Sequence, residues 1–361
     1  MIDFSLPDEW RLVAEVAQRF AAEQLRPHER AHEAARGLPP ALRGRGRAIG
    51  LDRIAWPEDA GGAGQGPLAR TLVLEALAAG DPAGALALDP LGAVAAALLA
   101  FAGPATLAEH AAQLDALGGG RAVLVVDLDG ALRRDGATFS GDLPWLPADR
   151  IDLLAVLDRN GLTLLRDGLT LAPVRGSGLR AAGASRLMLA RAPVLAHWTD
   201  PAAAATALAH ARLEAAALMI GQMAEAAEYA RRYALDRVAF GKPIAHHQAM
   251  AFLIVEMHMA VDGARELLRE AAWRLHGGRP ATVAAADAFL QAVEAGQFVG
   301  PNAVQILGAA GFMQDHPVEK AMRELCTLAM LAGGADAARD DAADDEHPGP
   351  ARPIRLLAEE M

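Results

Sequence analysis

The sequence predicts a mainly α protein with a central β-domain, and three observations carry that prediction. Apolar residues recur at helical spacing from Glu9 to about Gly118, the period shortens after Gly118-Gly119-Gly120, and long helical patterns return from Pro201. Composition agrees, because hydrophobic residues make up 53% of the chain and aromatics only 4%, leaving Ala, Leu, Val and Met to fill the interior. Such side chains suit helix packed on helix. The 361 residues divide into an N-terminal helical domain (1–120), a small β-barrel domain (121–200), a C-terminal helical bundle (201–335) and an acidic, Pro-containing tail (336–361).

In chain order, Trp10, Leu12, Val13, Val16 and Phe20 mark the first helix, with Asp8 as its cap, and Thr71–Ala79 and Gly92–Phe101 are further apolar helices. Between them Trp56-Pro57-Glu58-Asp59-Ala60-Gly61-Gly62-Ala63-Gly64 cannot continue a helix and reads as a structured loop. The β-rich runs are 122–127, 137–140, 151–158, 162–166, 169–174 and 185–190. Asp-Gly, Asn-Gly and Gly-Ser-Gly signals separate them, as in antiparallel hairpins. Helical patterns then cover 203–236, 248–275, 282–298, 302–310 and 318–331. Asp336 to Glu346 is acidic and is followed by Pro348, Pro350 and Pro353, the composition of a mobile tail.

A net charge of −11 argues against duplex nucleic acid or an anionic membrane surface as the main partner. Cys326 is the single cysteine, so neither a disulfide framework nor a Cys-rich metal site can form within one chain, and no metal is expected. Met1 to Trp10 carries Asp3, Asp8 and Glu9 without a basic region, unlike a secretory signal. The apolar run between Pro90 and Pro104 is short of the ~20 residues a spanning helix needs, so no membrane insertion and a cytoplasmic location are expected.

The segment Asp236-Arg237-Val238-Ala239-Phe240-Gly241-Lys242-Pro243-Ile244 with Gln248 resembles the flavin-contacting signature of the acyl-CoA dehydrogenase family. Asn302-Ala303-Val304-Gln305-Ile306-Leu307-Gly308-Ala309-Ala310-Gly311-Phe312, then Pro317-Val318-Glu319-Lys320 and Arg323, is similar to the family's next landmark. Asp3-Phe4-Ser5-Leu6 and the Pro57-Glu58…Gly61-Gly62 loop resemble its opening helix and early loop. The resemblance implies an N-terminal helical bundle, a small β-barrel and a C-terminal four-helix bundle, with FAD as cofactor. It also implies an oligomer in which Arg237, Phe240, Gln248, Gln305 and Gly308 serve the FAD of a neighbouring subunit. A rigid guanidinium fork suits a pyrophosphate. Taken singly, Arg237 reads as a surface charge and Gln248 as a solvated amide; the set in register carries the reading.

The reaction that the resemblance implies is α,β-dehydrogenation of an acyl-CoA thioester to a trans-2-enoyl-CoA, with an electron-transfer flavoprotein or similar acceptor as redox partner. A carboxylate must take the α-proton. In most members it is the Glu of a Tyr-Glu-Gly-Thr-like segment, nine residues after the arginine matching Arg323; here that segment is Leu331-Ala332-Gly333-Gly334-Ala335-Asp336. An alternative family position, immediately before the arginine matching Arg212, is Ala211. Both base positions are therefore alanine. Glu214 is a poorly placed candidate substitute, since two residues beyond Arg212 turn it ~200° around an ideal helix, and it reads more readily as an ordinary surface or capping-region residue. His246, His247 and His258 match positions that are not catalytic. Arg212 and the backbone N–H of Ala332 remain as substrate contacts. The family's Thr-Glu-Pro…Gly-Ser-Asp stretch is not recognisable between Val125 and Gly136, and Gly141-Asp142-Leu143-Pro144-Trp145 only loosely resembles the flavin-side strand.

A retained neighbour-facing set with an eroded site of its own resembles the glutamate-less subunit of heteromeric family members, which are associated with lipid or steroid catabolism. The expected partner is a Glu-bearing homologous subunit. Two other readings stay open: a self-sufficient flavoenzyme with a displaced base, and a non-catalytic acyl-CoA-binding or assembly protein.

Overall fold

The structure is a computed structural model that describes residues 6–346; Asp3–Ser5 of the family-like opening, and the Pro-containing stretch from His347, lie outside the described residues. The chain forms α1 (Asp8–Phe20), α2 (Glu29–Ala35), α3 (Pro40–Ala48), α4 (Gly66–Ala78), α5 (Pro82–Leu88) and α6 (Val94–Ala116). A sheet follows, built from β1 (Ala122–Val126), β2 (Leu132–Asp135), β3 (Thr138–Leu146), β4 (Leu153–Leu157), β5 (Gly161–Leu165), β6 (Leu169–Pro173) and β7 (Ser185–Thr199). The last third holds α7 (Pro201–Asp236), the short hairpin β8 (Val238–Ala239) and β9 (Lys242–Pro243), then α8 (Gln248–His276), α9 (Thr282–Leu307), α10 (Val318–Leu328) and α11 (Gly334–Glu346).

The order of helices, sheet and helices follows the sequence reading, but details differ for physical reasons. α1 begins with Pro7 at the cap position and Asp8 in its first turn, so Asp8 is not the cap. α9 runs straight through Pro301, joining the two helices expected at 282–298 and 302–310; Asn302 Nδ2 donates to the Phe298 carbonyl at 2.8 Å beside the proline. The sheet order is β1-β4-β5-β7-β3-β2, with β6 also paired to β7. β7 is long enough to pair with β3 and β6 along its first half and with β5 along its second. The sheet bends around a core of Phe139, Leu154, Val156, Leu165 and Leu187, yet β1 and β2 remain unpaired edges, so the barrel is open. β1 is parallel to β4, Ala122 facing Leu153, against the expectation of hairpins throughout.

The segment expected as a mobile acidic tail is helical through Glu346. Ala338 is fully buried, and Ala335 and Ala342 pack on the main core along the same face of α11. Asp341 binds both Arg159 of the β-domain and Arg212 of α7, an electrostatic clasp composition alone does not reveal. Two helices, α6 and α7, are long and apolar enough to cross a bilayer, contrary to the expectation from the Pro90–Pro104 run. In α7 that surface is mostly buried against other helices, and α6 is interrupted at Gly103, where φ is +80°.

α7 is the axis of the molecule, packed on α4, α6, α8, α9 and α10. A second fastening joins the N-terminal helices to α10. Lys320 Nζ lies 2.9 Å from Asp81, which also caps α5, and 2.7 Å from Glu324; all three side chains are essentially inaccessible. Burial pushes the Glu324 carboxyl up, against the opposing pull of Lys320. Removing the cation strands two buried carboxylates, so Lys320→Met is expected to cost about 3–5 kcal/mol in urea unfolding. A loss below about 1 kcal/mol would show that the cluster does not hold the two helical layers together.

Candidate active site

Two cavities meet on the flank of α7. The first, about 260 Å³, lies against the sheet and is lined by Arg121–Val126, Trp145 and its neighbours, Asp89, the α7 face at Ala211, Glu214, Ala215 and Leu218, and Met330–Gly333. Every residue of β1 lines it, which means that the strand presents its unpaired edge rather than one face. The second, about 310 Å³, lies under the Trp56-Pro57 loop and is lined by Arg70, Leu99, His210, Leu213 and small residues of α6. Both are near the lower end of the ~300–1,000 Å³ typical of small-molecule pockets. Gly92 and Glu214 belong to both walls.

The residues at the two usual base positions come together. Ala211 projects from α7 at the same cavity that Ala332 approaches from the turn between α10 and α11. That turn is tight: Ala332, Gly333 and Gly334 have φ of +54°, +86° and +79°. A side chain at 333 would begin 2.7 Å from Leu128 Cδ1, which reserves the position for glycine. Gly334 N–H closes the turn onto the Leu331 carbonyl at 2.9 Å, whereas the Ala332 N–H has no hydrogen-bond partner among the described residues. An unpaired donor on a cavity wall suits a developing oxyanion.

Glu214 shares this cavity but is already engaged. Arg70 grips it through Nε to Oε1 at 3.3 Å and Nη2 to Oε2 at 3.1 Å, while the same guanidinium reaches Asp89 Oδ2 at 2.7 Å. Asp89 Oδ1 in turn accepts the Leu91 and Gly92 N–H groups at 3.0 and 2.7 Å. The carboxylates beside Arg70 hold its pKa above the ordinary value even though burial opposes that shift. Arg121 donates to the Ala182 and Pro147 carbonyls, and burial lowers its pKa to about 10, leaving it cationic near neutrality.

Arg212 is not where a substrate contact requires it. Fully buried and salt-bridged to Asp341, it lines neither cavity, and its Nε and Nη1 are without partners among the described residues. The one-residue step from Ala211 turns it ~100° away around the helix. His246, His247 and His258 line neither cavity.

Arg237, Phe240, Gln248, Gln305 and Gly308 are all exposed, and none lines either cavity. The first three stand on the β8–β9 turn and the start of α8, and Gln305 and Gly308 end α9. The turn is held by an Ile244 N–H to Arg237 carbonyl bond of 2.8 Å. Phe240, 96% exposed at φ +53°, meets only the edge of the His247 ring. No side-chain hydrogen bond engages Arg237, Gln248 or Gln305 among the described residues. Sequence reasoning missed Arg70, Asp89 and Arg121. A lone arginine in the apolar Leu68–Ala79 run was the available signal for the first.

Residues 7–112 match the family model for the acyl-CoA dehydrogenase N-terminal domain, and residues 202–345 match the one for its C-terminal domain. A probable acyl-CoA dehydrogenase of Bacillus subtilis is 26% identical, over 94% of this chain and 98% of that protein. The benzylmalonyl-CoA dehydrogenase of Aromatoleum aromaticum is 27% identical, over 92% and 96% respectively. In fold, the chain matches one in the ChsE4–ChsE5 complex from Mycobacterium tuberculosis with a TM-score of 0.85 at 22% identity, covering 97% of this chain and 100% of that one.

His210 provides a pH test of the second cavity. Burial pushes its pKa from 6.5 down to about 4. The unfolded chain therefore takes up the proton first, and the stability contributed by neutral His210 is lost as pH falls from about 6.5 towards 4. Melting temperature is expected to decline less steeply over that interval in His210→Leu; parallel curves for the two proteins would remove His210 as the cause.

Proposed function

The chain belongs to the acyl-CoA dehydrogenase family, and on that premise we propose a flavin-associated subunit that binds an acyl-CoA thioester and completes the FAD site of a neighbour. The α-proton is left to a carboxylate on a homologous, Glu-bearing partner. The observation that supports this most is the meeting of Ala211 and Ala332 in one cavity with Glu214 held by Arg70. A base must come within ~2.6–3.2 Å of the proton's carbon or reach it through one water. Two methyl groups offer none, and both oxygens of Glu214 already face a guanidinium.

The residues present fit FAD in two separate parts. The edge of β1 offers unpaired backbone donors and acceptors to a planar heterocycle with alternating N–H and C=O groups, and Trp145 lies beside it. No Ser or Thr hydroxyl lines that cavity, which leaves the β1 backbone and the Trp145 and Arg121 side chains to contact such a ring. Bound FAD supplies a hydride acceptor for the β-hydrogen of the acyl group. The Ala332 N–H would polarise the thioester carbonyl and so acidify the α-carbon. Arg237 would take the pyrophosphate of a neighbour's cofactor, with Phe240, Gln248, Gln305 and Gly308 around it.

An oligomer is supported by the apolar side chains exposed beside this turn: Val238 is 59% accessible, Phe252 57% and Met259 66%. The fold also occurs in a complex of two named components, ChsE4 and ChsE5. We assign an electron-transfer flavoprotein or similar acceptor as redox partner, and the cytoplasm as location. A self-sufficient enzyme using Glu214 is the second reading, favoured by the position of that carboxylate in the same cavity and opposed by its pairing with Arg70.

The test is the visible spectrum of the purified chain during anaerobic addition of acyl-CoA. Flavin that remains oxidised in the wild type but bleaches in Ala332→Glu agrees with the proposal; bleaching by the wild type establishes a base within this chain, and a chain that takes up neither flavin nor acyl-CoA is an assembly protein. Arg237→Ala removes a charged hydrogen bond of ~1.5–3 kcal/mol, so flavin affinity of the oligomer should fall by roughly 10–100-fold. Undiminished flavin content would separate Arg237 from the cofactor.

A further inference from the structure

We propose that Glu214, braced by Arg70 and Asp89, is a specificity-determining gate that confines the acyl group to the sheet-side cavity and closes the loop-side cavity to longer chains. This rests on the acyl-CoA reading above. Three side chains from three segments form the partition. Asp89 faces the sheet-side cavity, Arg70 faces the loop-side cavity, and Glu214 borders both. All are largely buried: Arg70 is 8% accessible and Asp89 7%, and the Glu214 side chain is 13% accessible.

The chemistry on either side of the partition differs from that of the partition itself. Beyond it, Trp56, Pro57, Ala96, Leu99 and Leu213 make an apolar chamber of about 310 Å³, large enough for the distal part of an alkyl chain. Thr71, Thr206 and His210 also line the chamber, but the charged groups on its wall are those of the ion cluster. An alkyl chain crossing the partition would have to displace Glu214 from Arg70, or lie against a carboxylate and strip its remaining water, and neither loss is offset by a methylene contact. A short acyl group ends before the partition and meets neither cost. Discrimination here comes from a polar group placed against the wrong ligand rather than from added contacts to the right one. Because a bulky acyl group would need both cavities at once, the gate runs against the bulky substrates that the heteromeric resemblance implies.

Glu214→Ala opens the partition while leaving Arg70 paired with Asp89 at 2.7 Å, so the fold keeps a neutral buried pair. Glu214→Gln removes the charge but not the bulk. Binding is read by calorimetry on the full chain with butyryl-CoA, dodecanoyl-CoA and free CoA, without reference to turnover. The wild type is expected to prefer butyryl-CoA over dodecanoyl-CoA by about tenfold or more, and Glu214→Ala to erase that preference by strengthening dodecanoyl-CoA binding. Glu214→Gln should fall between them. Adding Leu99→Trp to Glu214→Ala refills the far chamber and should restore the preference, which general loosening of the structure would not do. A wild type indifferent to chain length, or a preference unchanged in Glu214→Ala, overturns the gate while acyl-CoA binding stands. A folded wild type that binds neither acyl-CoA better than CoA overturns the acyl-CoA reading and the gate with it.

Discussion

The structure depends on how closely α7 lets other helices approach. At Gly221 a β-carbon would lie 2.1 Å from the Glu75 carbonyl of α4, so the two backbones touch where no side chain can intervene. Buried alanines elsewhere on α7, among them Ala207, Ala216, Ala217 and Ala230, keep its other faces small as well. Packing of this kind derives its strength from dispersion over many short contacts, and it tolerates little change in volume. It also fixes the chemistry: Arg70 on α4 reaches Glu214 on α7 because the two helices are held at that separation. The other flank of α7 carries Arg212 into the Asp341 pair, so one helix serves a cavity on one side and a clasp on the other.

The helices were legible because their periodicity is local. Pairings that depend on distant segments were not. β2 carries Leu132 alone among Arg133, Arg134 and Asp135, too few apolar residues to announce a strand; it exists because β3 supplies its hydrogen bonds. The parallel register of β1 on β4 is likewise set by the fold around it. α11 was hidden by its aspartates, although Ala335, Ala338 and Ala342 trace an apolar stripe at helical spacing. Its charge became structural only through Arg159 and Arg212, which no local pattern links to residue 341.

The site was legible where it depended on register and illegible where it depended on contact. Ala332 and Ala211, far apart in sequence, stand at the two base positions of the family pattern, and the fold brings both to one cavity. Arg70 and Asp89 look like incidental polar residues in apolar surroundings until Glu214 joins them. Arg212 shows the converse, a residue in the right register whose direction around the helix takes it elsewhere. The exposed set around Phe240 lines neither cavity, so no contact within the described residues reveals what it serves.

The open edge of β1 has a bearing on how the protein survives between synthesis and ligand binding. An edge strand with free backbone groups is a template for another strand, and proteins commonly blunt such edges with charge, proline or a covering element. Ala-Val-Leu-Val-Val carries none of these in its own sequence; the Pro90 carbonyl takes the Ala122 N–H at 2.7 Å, and beyond that bond the outer edge faces a cavity. Whatever fills that cavity also shields the strand, so ligand occupancy and resistance to aggregation are coupled through the same row of amides.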